Sequence, residues 1–329
     1  MTASVKDLID LASERLGGIA IEANDEFFAS KDRLTHFDPP VWREGEYTDR
    51  GKWMDGWETR RRRDVLPGEP GFNVAHDWCV VRLGTRGVIR GVDVETTHFK
   101  GNYPESCAVD ACVLPGVPTS EEIEQTMWHG AVERSQLIGD SHNIFQVAGV
   151  PATHVRLRIF PDGGVARLRV YGDVVPDWDA LRRQGELDLA AVLNGGRVID
   201  CSDMFFGSRN NLIMPGHPRS MAEGWETKRR RTLGHDWTIV RLGAPGTIVR
   251  IEIDTRHFKG NAPAACGLDA STSDTAAAWT ELLPRTLLKP DRRHTFDATV
   301  KPIAGVTHVR LNIFPDGGVA RLRLFGLPA

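Results

Sequence analysis

A histidine, a lysine and an asparagine stand at fixed spacing in His98-Phe99-Lys100-Gly101-Asn102, and the same five residues return as His257-Phe258-Lys259-Gly260-Asn261. The histidine offers a general acid or base, the lysine a cation and the asparagine an amide. The glycine lets the backbone approach a ligand closely. A lone histidine usually makes one structural hydrogen bond, but repetition of the whole polar pentapeptide strengthens the case for chemistry.

A second constellation is Lys52-Trp53-Met54-Asp55-Gly56-Trp57-Glu58-Thr59 followed by Arg60 to Arg63, echoed by Gly224-Trp225-Glu226-Thr227-Lys228-Arg229-Arg230-Arg231. Carboxylates such as Asp55 and Glu58 beside several arginines are expected to stay ionised and to act as acceptors or bases. Guanidinium forks such as Arg61 suit a carboxylate ligand. The competing reading is a salt-bridge cluster packed by its tryptophans.

The third constellation is Phe160-Pro161-Asp162-Gly163-Gly164-Val165-Ala166-Arg167-Leu168-Arg169, repeated from Phe314 to Arg323. A tight turn at Asp162-Gly163 would set Arg158 across from Arg167, Arg156 from Arg169 and His154 from Tyr171 on one face. Val155, Leu157, Ile159, Ala166, Leu168 and Val170 would fill the other. Such an array needs acids or a bound anion. Asp93 and Glu95 on a neighbouring strand are the expected neutralising partners for most of it, which leaves Arg167 and Arg321, next to the Gly-Gly turn, as site candidates. In His76-Asp77-Trp78 and His235-Asp236-Trp237 the aspartate is expected to satisfy backbone donors where a strand begins, with the tryptophan anchored in the core. There is no Walker loop, dinucleotide-binding glycine pattern, Gly-x-Ser-x-Gly or His-Glu-x-x-His.

These motifs sit on a duplicated chain. The offset between matched residues falls from 178 at Asp25/Asp203 to 168 at Trp57/Trp225, 159 at His76/His235 and 154 at Thr153/Thr307. The first copy therefore has longer loops between Leu34 and Gly56, between Arg63 and His76, where Pro67-Gly68 and Pro70-Gly71 fall, and between Asn102 and Thr153. Loops that differ on one scaffold are where two copies acquire different jobs, although surface drift also produces them. Alternating or β-branched runs such as 78–83, 88–96, 107–113, 154–159 and 166–171, most of them bounded by Gly or Pro, predict strands. Helix is expected only at the start of each copy, where Ser4 would cap an amphipathic turn carrying Val5, Leu8, Ile9, Ala12 and Leu16; residues 187–193 form its counterpart. The fold class is all-β: two tandem β-sandwiches, residues 1–176 and 177–329, joined near Pro176.

With 41% apolar residues among 329, the chain can bury two cores. A net charge of −3 argues against nucleic acid or anionic membrane as partner. The absence of a long apolar run and of a signal-peptide pattern leads to the expectation of a cytosolic protein. Five cysteines, odd in number and without a Cys-x-x-Cys pair, argue against disulfides and a thiolate zinc site.

The motifs Lys52 to Arg63, His76-Asp77-Trp78-Cys79-Val80-Val81-Arg82-Leu83-Gly84, residues 87–96, Phe99-Lys100-Gly101-Asn102-Tyr103-Pro104 and the doubled Phe-Pro-Asp-Gly-Gly-Val-Ala-Arg-Leu-Arg resemble those of the allantoicase family over nearly the whole chain. The resemblance implies two jelly-roll domains of the galactose-binding, discoidin-like type. It also implies hydrolysis of allantoate to ureidoglycolate and urea in purine degradation, and a homo-oligomer, hexamers being known in the family. Allantoate needs a cation for its carboxylate and partners for two ureido arms. On this reading Arg61 or Arg167 takes the carboxylate, His98 gives a proton to the departing urea, Glu58 is the base toward water, and Lys100 and Asn102 hold the ureido oxygens. Glu226, His257, Lys259, Asn261 and Arg321 are the second-copy equivalents.

Because the reacting carbon bears two nitrogens, urea can leave to give an acylimine-like species that water captures. No cofactor is then required, and a divalent metal is chemically optional. The alternatives are a non-catalytic tandem jelly roll holding a carbohydrate or small anion, and a metal-dependent amidohydrolase in which His98, His76 and His154 converge.

Overall fold

The computed structural model describes residues 5–64 and 75–329. Ser4 and the Pro67-Gly68 and Pro70-Gly71 turns lie outside the described residues. The chain divides into two compact units, one ending at Val175 and the other beginning at Pro176.

In the first unit two 19-residue strands, Asp77–Glu95 and His142–Phe160, pair antiparallel but slip register between Arg82 and Gly87. Before the slip, residues 79–82 also pair with Ile19–Ala23, while residues 154–160 pair with Ser106–Cys112, which His129–Gln136 edges. Beyond it, residues 87–95 pair with Arg167–Val174, edged by Ile9–Asp10. The change of neighbours turns one ladder into the two faces of a sandwich, and Val81, Val92, Val94, Leu157, Ile159 and Leu168 are buried in it. The corner accepts only glycine: a Cβ on Gly84 would lie 2.5 Å from the carbonyl oxygen of Leu16. The second unit repeats the plan. Asp236–Asp254 pairs with Arg197–Cys201 and Val306–Phe314 in one half, and with Arg321–Pro328 and Arg293–Phe296 in the other.

Four local expectations are corrected. Residues 154–160 and 167–174 do not form a hairpin, because Asp77–Glu95 runs between them: Arg158 stands opposite Trp78 and Ala108, and Arg167 opposite Glu95. After Phe160 the chain instead forms Gly164–Val165, which pairs with Trp57–Glu58. Alternation identifies the face of a side chain but not its neighbour. The arginine stripe is neutralised, but by other acids. Asp110 pairs with Arg156 and Arg158 at 2.9 Å each, Asp55 with Arg167 at 2.9 Å and Asp10 with Arg169 at 3.5 Å, while Asp93 meets Lys6 and His142.

The start of the first copy is also not one amphipathic turn. Two 3-10 turns, Val5–Asp7 and Glu14–Leu16, flank the strand Ile9–Asp10, because Asp10 accepts from the N–H groups of Ala12 and Val170 and ties residues 9–10 into the sheet. Among the described residues the α-helices are Ser120–Gln125 and Trp178–Arg182. A capping box of Thr119 and Glu122 starts the former.

Finally, Trp78 is half-exposed and Asp77 is the buried residue, bound by Arg62 and Asn24. The anchors of the core are Trp57 and Trp225, fully buried, with indole N–H groups donating to the carbonyls of Asp25 and Asp203 at 2.8 Å.

Candidate active site

The repeated motifs meet at one end of each sandwich. Strand alternation sends Trp57 into the core and leaves Glu58, its neighbour on the two-residue strand, facing outward. Phe99 is fully buried, and Gly56 and Gly164 make room for its ring: a Cβ on Gly164 would sit 2.0 Å from Phe99 Cε1. With Phe99 as anchor, His98 takes the left-handed conformation, φ 71°, and its N–H donates to Asp140 Oδ1 at 2.8 Å. Asn102 closes the loop onto the strand. Its carbonyl accepts from Gly164 N–H at 2.7 Å, and its side-chain amide donates to Glu58 Oε1 at 2.7 Å. The second repeat builds the same frame with His257 at φ 72°, Asp291, Phe258 and an Asn261–Glu226 bond of 2.6 Å.

Two open cavities adjoin in the first repeat. One, of about 930 Å3, is lined by Asp25, Arg61, Arg62, Asp77 and Asp162 among others. The other, of about 450 Å3, is lined by Trp42, Lys52, Met54, His98 and Lys100. Phe28, Glu58, Gly101 and Asn102 belong to both, so Glu58 stands where a guanidinium cleft meets a histidine pocket. Trp42, Lys52 and Met54 come from the stretch between Leu34 and Gly56 that is longer in the first copy. The indole of Trp42 lies 5.7 Å from the His98 ring, and Lys52 Nζ sits 4.0 Å over it. In the second repeat Met221 Sδ lies against the Asn261 amide at 3.7 Å.

The charges are unevenly committed. Arg60 binds Asp25 and Arg62 binds Asp64 and Asp77; among the described residues Arg61 has no ion-pair partner and lines the cleft. Burial pushes the Glu58 carboxyl above its usual range, only partly offset by the Asn102 bond. The arginine run does not act on this carboxyl, since Arg60 and Arg62 turn to other acids and its shift comes from burial and Asn102. Asp55 behaves oppositely. Burial would raise it, but Arg167, the Val41 N–H and Arg33 outweigh that and hold it low. Burial also raises Asp162, with Asp77 adding to it against the Arg62 N–H and the guanidinium groups of Arg61 and Arg62. His98 Nε2 lies 3.2 Å from the Pro40 carbonyl. A carbonyl only accepts, so Nε2 carries the proton and Nδ1 is the nitrogen left for exchange.

His98, Glu58, Lys100 and Asn102 thus share a cavity, and Arg61 shares the adjoining one with Glu58. Arg167 does not join them. It is 1% exposed and donates to Asp55 and to the carbonyls of Asp38, Asp55 and Ala166, which makes it an internal cross-link. Arg321 is likewise buried, bonded to the carbonyls of Asn211, Glu223 and Ala320, though it borders a cavity of about 270 Å3. Lys100 is largely exposed, 3.7 Å from Asp140. Residue types alone did not single out Asp162, Trp42 or Lys52 as lining the same cavities. Among the described residues no three His, Cys, Asp or Glu side chains are grouped to hold a metal ion, and His154 is buried in the core beside Thr153.

The family model described as the allantoicase repeat matches the chain twice, over residues 9–175 and 187–329. A probable allantoicase of Photobacterium profundum is 47% identical over 328 residues, covering 97% of this chain and 96% of the relative. One from Pseudomonas aeruginosa is 45% identical over 336 residues, covering 99% and 98%. Among solved structures, the allantoicase of Saccharomyces cerevisiae superposes with a TM-score of 0.81 at 34% identity, covering 97% of this chain and 92% of that one.

Proposed function

The chain belongs to the allantoicase family, and on that premise we propose that the first-repeat cavities are where it splits allantoate, with Arg61, Glu58 and His98 as the principal groups. It is a hydrolase of allantoate, releasing urea and ureidoglycolate in purine degradation. The observation that carries the assignment is the position of Glu58, shared by the cleft of Arg61 and the pocket of His98.

Allantoate is held by its carboxylate on the Arg61 fork, which among the described residues has no ion-pair partner and lines the cleft. One ureido arm lies toward His98, with Lys100 and Asn102 as donors to ureido oxygens and Trp42 as an apolar wall. His98 acts as the general acid through Nδ1, the nitrogen not engaged by Pro40, and passes a proton to the nitrogen of the departing urea. The carbon–nitrogen bond breaks and its electron pair leaves with urea, while the lone pair of the remaining nitrogen forms the carbon–nitrogen double bond. Glu58 then takes a proton from water as the oxygen bonds to that carbon. A carboxyl raised by burial is suited to this work, since it is a stronger base toward water than an exposed one.

The groups in these two cavities supply acid, base and charge without a metal ion, so activity is expected to survive chelation. A homo-oligomer and a cytoplasmic location belong to the same proposal. Phe205 and Phe206, 70% and 63% exposed at a loop tip, suit a protein contact, and five free cysteines suit a reducing compartment. The direct test is urea release from allantoate by the purified chain, wild type against Glu58→Gln and Arg61→Ala. Arg61→Ala is expected to raise KM more than it lowers kcat, and full activity in both variants would remove the site.

A further inference from the structure

We propose that Asp162 is a third reacting group in this cleft, taking the N–H proton of the ureido arm that stays as the double bond forms and returning it as water adds. The inference rests on the assignment of the cleft to allantoate hydrolysis. The chemistry calls for such a group. His98 serves the departing nitrogen and Glu58 serves water, but the lone pair that forms the double bond leaves the remaining nitrogen a positively charged acyliminium, which an acceptor for its N–H proton converts to a neutral acylimine, the proton returning as water adds. With an acceptor there, Asp162 ends as it began, and the proton that Glu58 takes from water goes back through solvent to His98, which gave one to urea, so that one water is consumed and urea and ureidoglycolate leave.

The fold brings Asp162 to that position. Gly164–Val165 pairs with Trp57–Glu58, and Thr59 N–H donates to the Gly163 carbonyl at 3.1 Å, so Asp162 borders the same cavity as Glu58, Arg61 and Asn102. Its Oδ2 accepts from the backbone N–H of Arg62 at 2.8 Å, while among the described residues Oδ1 has no hydrogen bond and remains for a ligand. The charged groups facing it are Arg61 and Arg62 from the neighbouring segment and Asp77 from the long strand. Burial, aided by Asp77, outweighs the two arginines and lifts this carboxyl above the usual range, which favours holding a transferred proton for the length of a turnover.

The bond to Arg62 is structural, and the second repeat repeats it: Asp316 Oδ2 accepts from Arg230 N–H at 2.8 Å. Asp316 is therefore an internal control. Asp162→Asn is expected to lower kcat about a hundredfold with KM changed less than about threefold, whereas Asp316→Asn keeps wild-type kcat. The second readout is the acid limb of log kcat against pH. Two carboxylates must be ionised, so the wild-type limb approaches a slope of about two, and Asp162→Asn reduces it to about one. Wild-type kcat in Asp162→Asn, an unchanged slope, or an equal loss in Asp316→Asn would overturn the proposal. Should Asp162→Asn fail to fold, Asp162→Glu is read instead: reduced kcat with a slope of two supports the role, and a slope of one sinks it. Glu58→Gln separates the two readings. If it is inactive while Asp162→Asn is active, only the role of Asp162 falls; if it too is fully active, the site falls.

Discussion

Glu58 and Asp55 are three residues apart in one motif and have opposite fates, because one faces a cavity and the other faces Arg167. Their substitutions should therefore differ in kind. Glu58→Gln and His98→Ala are each expected to lower turnover of allantoate about a hundredfold while the melting temperature stays near wild type. Glu58 must be ionised to act as base, and burial raises its carboxyl; activity should accordingly fall as pH drops through a value above the ordinary carboxylate range, and Glu58→Gln should shorten that limb. Asp55→Ala should do the reverse. It leaves the 1%-exposed guanidinium of Arg167 without its acid, a loss on the order of 3–5 kcal/mol of stability for a broken buried pair, visible in chemical denaturation before any change in the kinetics of the folded fraction.

At the scale of elements, the repeats share a frame and differ in a loop. The His-Phe-Lys-Gly-Asn loop has nearly identical geometry in both copies, so the histidine alone does not distinguish them. The stretch from Leu34 to Gly56 does, since it places Trp42 and Lys52 beside His98, where the second repeat sets Met221 against Asn261. His98→Ala is therefore expected to cost at least about tenfold more kcat/KM than His257→Ala, compared at equal folded fraction. Equal losses would mean two working sites. Much of what repeats turns out to belong to the frame: Asp25 accepts from the N–H groups of Phe27 and Arg60, Asp203 from those of Phe205 and Lys228, and Arg62 and Arg230 hold Asp77 and Asp236. Repetition of polar residues is thus a weaker sign of chemistry than it looks in one dimension, because a buried polar frame must be copied as faithfully as a site.

For the molecule as a whole, His154 links stability to pH. It is fully buried beside Arg82, and burial pushes its imidazole down to about 4. Unfolded, it titrates near about 6.5. Between those values the unfolded chain takes up a proton that the folded chain refuses, so the contribution is complete above about pH 6.5 and is lost as pH falls toward 4, by up to about 3 kcal/mol. Melting temperature measured from pH 7 to pH 4 should fall, and His154→Gln should flatten the curve; parallel curves would count against this account. Sedimentation of the wild type against Phe205→Ser and Phe206→Ser checks the proposed oligomer, which the double substitution should loosen.

From sequence alone came the duplication, the all-β class, the apolar faces of the strands and the family, because period-two alternation, Gly-Pro punctuation and repeated words are local in the chain. The motifs of Glu58 and Asn102, whose side chains bond in both copies, were also legible, as two motifs repeated together. Only the tertiary structure decided that Asp77–Glu95 runs between the strands bearing Arg158 and Arg167, because alternation fixes a face and leaves the partner to long-range packing. That choice turned Arg167 into a buried cross-link. It likewise brought Asp162, more than a hundred positions away in sequence, to the cleft of Glu58, and it set the charge of each carboxyl, which depends on burial and neighbours rather than on residue type.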